Sequence, residues 1–155
     1  MSVTEKEAER LSGILEDLFK DHPAAREFMC HYVKYINLID DIIDEKTDHH
    51  EVLRAFAQSH SVFTNPFFIQ YRHLLGFLEL VINNEYADSV TWEKSGEEWK
   101  VRHADAIRHC GLNMLFGVIM ILHGYDKLRE VSCDLRTFFF EKHLYDFFRT
   151  FGKAA

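Results

Sequence analysis

Residues 111 to 124 read GLNMLFGVIMILHG, a run of 14 positions in which only Asn113 and His123 are polar. This run constrains the fold more than any other stretch, because a helix that is apolar almost all round has no face to offer to water and must be surrounded. It is too short to span a bilayer, which takes about 20 residues. A buried core helix is therefore expected, with Gly111 and Gly117 letting a neighbour come close and Gly124 ending it.

Elsewhere apolar residues recur at helical spacing, and no alternating run supports a sheet. The expected fold is all-α, a compact single-domain bundle of about six helices over residues 1–155 with a buried apolar central helix. Thr4-x-x-Glu7 opens a first helix with Leu11, Ile14, Leu15 and Leu18 on one face. Pro23, following Asp21, opens a second helix that runs to about Glu45. Asp48 and Glu51 cap a short third helix reaching about Val62. Asn65 before Pro66 starts a fourth, with Tyr71, Leu74, Leu78 and Ile82 on one face, which continues to about Lys94. Ser95 and Glu98 cap the fifth, which contains the apolar run. After a short turn of helix near Lys127 to Val131, the last helix carries a core stripe of Phe140, Leu144, Phe147, Phe148 and Phe151. Phe138 and Phe139 point off that stripe, which suggests a homodimer through this Phe-rich C-terminal helix.

A chain of 155 residues is long enough to bury a core without disulfide staples. Its formal charge of −7, with no run of Lys or Arg, argues against nucleic acid and membrane surfaces as partners. Cys30, Cys110 and Cys133 are odd in number and follow no framework spacing, so reduced thiols are expected. The polar N-terminus carries no apolar signal region, and a cytoplasmic location follows as the expectation.

The segment YINLIDDIIDEK, residues 35 to 46, puts four acids where the second helix should still be burying itself. At 100° per residue Asp40 falls inside the apolar arc and Asp44 at its edge, one turn above it, while Asp41 and Glu45 face out. Two like charges on a partly buried face need a proton, a cationic partner or a metal. The fourth helix repeats the anomaly: Glu85 and Ser89 continue the line of Leu74, Leu78 and Ile82, flanked by Asp88 and Glu93. If the second and fourth helices run parallel, these groups share one end of the bundle, where helix C-termini also favour a cation. Oxygen donors without His or Cys describe a hard-cation site for Mg²⁺ or Mn²⁺, with Asp40, Asp44, Glu85, Asp88 and Ser89 as ligands. Arg108 on the fifth helix either clamps a diphosphate or neutralises Glu85, with Arg102, His103, Lys100 and Lys94 at the rim.

Asp40 to Asp44, DDIID, resembles the DDxxD motif of isoprenoid synthases, and Glu85-x-x-x-Ser89-x-x-x-Glu93 resembles the second metal motif of terpene synthases, with Glu where Asn or Asp is usual. Glu85-Tyr86-Ala87-Asp88 is also similar to the ExxD pair of all-α NTP pyrophosphohydrolases of the MazG and dimeric dUTPase type. Each resemblance covers two short motifs, in the first starting 45 positions apart and in the second with Asp41-x-x-Asp44 in place of an ExxE pair, and both imply Mg²⁺ and a diphosphate. The resulting expectation is a Mg²⁺-dependent enzyme acting on a small phosphorylated substrate, by hydrolysis of a nucleoside triphosphate or related diphosphate, with Glu85 or Glu93 orienting a water. Two alternatives stand beside it. One is a reduced prenyl-diphosphate enzyme or binder; the other is a noncatalytic helical interaction module whose inward acids are satisfied by Arg108.

Overall fold

The computed structural model describes residues 5–46, 48–141 and 144–151, and among these there is helix and no strand. The helices are α1 (Glu5–Phe19), α2 (Pro23–Ile43), α3 (His49–Phe63), α4 (Pro66–Gln70), α5 (Arg72–Glu93), α6 (Glu98–Arg108), α7 (Leu112–His123), α8 (Tyr125–Glu141) and α9 (Leu144–Phe151), with a 3-10 turn at His109–Gly111. The all-α expectation holds, with more and shorter helices than the six expected. They form two compact units: one from the described residues of Met1–Tyr71 and Cys133–Ala155, the other Arg72–Ser132.

In the first unit α2 packs against α1, α3, α4 and α9. Its Ala25, Phe28, Met29, Tyr32 and Val33 are fully buried, as are Leu11, Leu15 and Phe19 of α1. Asp48 caps α3 through its side chain, accepting from the amides of His50 and Glu51, and Asn65 caps α4 by accepting from Phe67. Both caps lie where the sequence puts them. Thr4, the expected cap of α1, lies outside the described residues. Arg26 ties α9 down. It donates to Glu16 at 3.2 Å and to the Phe151 carbonyl at 2.6 Å, and its guanidinium lies 3.9 Å from the Phe151 ring centre. An Arg on the last carbonyls of a helix satisfies an orphan acceptor and opposes the negative end of the dipole.

The phenylalanine stripe corrects the sequence reading. Phe138 and Phe139 are 1% exposed and pack on Phe147, whereas Phe140, assigned to the core, is 40% exposed. One helical phase carried through residues 135 to 151 puts Phe140 inside, whereas α8 and α9 bury Phe138 and Phe139 together with Phe147, Phe148 and Phe151. The side chains offered for a dimer contact are spent inside the unit.

The second unit is built on α5, against which α6, the 3-10 turn and α7 pack. α7 buries Leu112, Met114, Leu115, Phe116, Val118 and Ile119, then surfaces at Met120. Gly117 sits against Leu78: a Cβ there would stand 2.6 Å from its Cδ2, closer than two carbons approach. Gly124 ends α7 at φ 84°, ψ 174°, a conformation open to glycine alone. Residues Glu98–His123, taken as one helix, are long and apolar enough to cross a membrane, a test that buried core helices also pass. At its start, Ser95 does not cap α6; its hydroxyl accepts from the Glu97 amide and Glu97 holds the cap position without a side-chain bond.

The end of α2 departs furthest from expectation. The helix stops at Ile43, not near Glu45, and Asp44 is its C-cap. The Glu45 amide donates to the Ile42 carbonyl and the Lys46 amide to the Asp41 carbonyl, the paired bonds of a Schellman motif. That motif needs a left-handed residue after the cap, here Glu45 at φ 56° where glycine is usual. Replacing Glu45→Gly should therefore raise stability by about 1 kcal/mol, the left-handed cost of a side chain. Urea denaturation checks it, and a loss of stability would show that the helix does not end this way.

Candidate functional site

The acids of the sequence fall into the two units, Asp40 and Asp44 in the first and Glu85, Asp88, Ser89 and Glu93 in the second. In the first unit Asp40 and Asp41 are both partly buried, and Asp41 accepts from Asn37 at 3.4 Å. Asp44 is exposed and takes the Lys46 ammonium at 3.0 Å. Asp44 still stands one helical turn above Asp40, its amide donating to the Asp40 carbonyl at 2.9 Å, but at the end of the helix it is exposed where an inward lean was expected.

α5 carries its polar residues differently. Ser89 is fully buried and Glu85 half-buried, on the inner face with Leu75, Leu78 and Ile82. That is the line the 100° spacing drew. The Ser89 hydroxyl donates to the Tyr86 carbonyl at 2.6 Å and accepts from Arg108 Nε at 3.4 Å. Arg108 Nη2 donates to Glu93 Oε2 at 2.6 Å, and the guanidinium lies 5.4 Å from the Tyr86 ring centre. Of the two uses open to Arg108, the structure displays the internal one, with Glu93 and not Glu85 as its carboxylate. Glu85 is met by Asn113, whose Nδ2 donates to Oε2 at 3.1 Å. Asn113 is one of the two polar residues in the apolar run, and its position opposite α5 is the signal that sequence reasoning leaves unused.

The remaining candidates stay at the surface. Asp88 is exposed beside Asn84, and Arg102 is exposed beside Glu98 at 3.9 Å. Lys94 is exposed just beyond the end of α5. The Lys100 ammonium pairs with Glu97, and His103 Nδ1 lies 2.7 Å from the Trp99 carbonyl, so neither is turned toward Glu85. Among the described residues, no group of three or more His, Cys, Asp and Glu side chains is arranged to hold a metal ion. On α5, Glu85 meets the Asn113 amide and Glu93 the Arg108 guanidinium.

The outer face of α5 carries the opposite surprise. Leu74 is 62% exposed, Phe77 71%, Leu80 69% and Val81 39%. The sequence reading put Leu74 on the inner face with Tyr71. Tyr71 lies before α5 begins at Arg72, and the true inner register is Leu75, Leu78 and Ile82. A helix apolar on two faces gives periodicity no single answer.

No protein-family model matches the chain, and no curated protein and no solved structure matches it.

Cys110 sits beside this polar seam, buried and 3.6 Å from the Ile82 carbonyl. Burial, and then the negative charges of Glu85 and Glu79, push its thiol up from 9.0 to about 11. Burial does the same to Cys30 in the first unit, also to about 11. The folded state keeps these protons where the unfolded chain releases them, so this contribution to stability is complete below about pH 9 and is lost as pH rises toward about 11. Denaturation midpoints measured from pH 8 to 11 should fall across that window and fall less steeply in a Cys30→Ala, Cys110→Ala variant. A fall of equal size in the variant would exclude the thiols as its cause.

Proposed function

We propose that the chain is a noncatalytic helical interaction module, in which α5 serves as both the core of its unit and the surface presented to a partner. One observation carries this reading: Glu85, Ser89 and Glu93 of α5 are bonded to side chains of its own unit, while four large apolar side chains of the same helix, Leu74, Phe77, Leu80 and Val81, are exposed. Glu93 and Ser89 are engaged by Arg108, and Glu85 by Asn113. Phe77 and Leu80, about 70% exposed, lie on the opposite side. A metal-dependent diphosphate site needs the reverse, with carboxylates converging on open space and apolar groups behind them. Exposed apolar patches on otherwise polar chains mark contact surfaces.

The diphosphate reading supplies the contrast for a test. Thermal unfolding followed with Mg²⁺ and pyrophosphate should show no change in Tm beyond about 1 °C, and Glu85→Gln should leave that result untouched, because a ligand stabilises only the state that binds it. The dye bis-ANS should bind the wild-type chain and bind Phe77→Glu much less. A rise of several degrees with Mg²⁺ and pyrophosphate that Glu85→Gln removes would overturn the module reading in favour of a phosphate-binding enzyme.

A further inference from the structure

The occupant of the α5 face can be read from its charge pattern. From residue 74 to residue 87 every exposed side chain of α5 is uncharged, in a chain with 25 acidic and 18 basic residues. That window is bounded by Arg72 and His73 at the positive, N-terminal end of the helix and by Asp88 toward its negative end. Its first half is the apolar patch of Leu74, Phe77, Leu80 and Val81, and its second half offers the amides of Asn83 and Asn84.

We propose that this face pairs with the same face of a second copy of this chain, the two α5 helices lying antiparallel about a two-fold axis near Phe77 and Leu78. The inference rests on the interaction-module reading and names its partner. Two chains of charge −7 repel one another, and they approach with least opposition where the meeting surfaces carry no charge. An isologous contact requires a patch complementary to itself. Run antiparallel, the patch meets that requirement: Leu74 of each copy lies opposite the partner's Val81, apolar on apolar. His73 comes level with the partner's Ile82 and Asn83, one to two turns from the partner's Asp88, so basic ends face acidic ends. A parallel pair would set Asp88 on Asp88 and align the two helix dipoles. Stable dimers take about 800 Å² from each partner, more than one helix face provides. The pair is therefore weak and concentration-dependent.

Sedimentation velocity of the full chain under reducing conditions, over a concentration series reaching about 0.5 mM, should show a reversible monomer–dimer equilibrium in the weak range. Phe77→Glu should raise the dissociation constant at least ~10-fold with Tm unchanged, since the ring is already 71% exposed. Direction is read by crosslinking in a Cys133→Ser background, which removes the exposed native thiol. Leu74→Cys mixed with Val81→Cys should form an oxidised heterodimer, while Leu74→Cys alone should not, its two copies standing about 10 Å apart along the helices. A chain monomeric throughout, a dimer indifferent to Phe77→Glu, or efficient crosslinking of Leu74→Cys alone would each overturn the proposal. Failure here and failure of the module reading are separable. A monomer that still takes up bis-ANS in a Phe77-dependent manner contradicts self-pairing only, whereas stabilisation by Mg²⁺ and pyrophosphate contradicts the module itself.

Discussion

A guanidinium ties the last turns of α5 to the end of α6. α5 turns Ser89 inward with Glu93 at the edge, and Arg108, arriving at the end of α6, donates to both. Ser89 goes in with Leu75, Leu78 and Ile82, Leu78 meets Gly117, and Phe77 and Leu80 are left outside. The exposed patch and the bonded groups lie on opposite sides of one helix. The two faces of α5 are one choice, and everything proposed about partners follows from which face was buried.

Asn113 completes that choice from the far side. Placed in the first turn of the most apolar helix, it reaches Glu85 at 3.1 Å and gives the half-buried carboxylate a neutral donor. Glu85 lies beside a buried thiol, and its negative charge helps to raise Cys110. Polar groups in this seam are coupled to one another over a short stretch of α5, α6 and α7.

Much of the helical architecture was legible from residue types whose effect is local. Asp48 and Asn65 cap where caps were expected because a side-chain oxygen needs only the next two or three amides. Gly124 stops α7 for an equally local reason, its backbone angles. The inward phase of Glu85 and Ser89 was legible too, since it follows from spacing within one unbroken helix. Three features escaped, each where phase or pairing depends on more than spacing. Phe138 and Phe139 face inward because they pack on Phe147, a contact that spacing alone does not reveal. Asp44 is exposed because α2 ends there, in a left-handed residue, Glu45, where no glycine announces the stop. Leu74 went outward because α5 is apolar on both sides, and only its partners on α6 and α7 decide which side is buried.

The central claim is that Arg108 acts as an internal partner of α5 and not as a ligand for an incoming anion. A double-mutant cycle on Arg108→Met and Glu93→Gln, read by urea denaturation, tests it most directly. Glu93 is half exposed, its side chain at 51%, so solvent screens the pair. A coupling free energy of about 0.5–1 kcal/mol is predicted. Strictly additive losses, with phosphate or pyrophosphate stabilising the wild type but not Arg108→Met, would contradict the account.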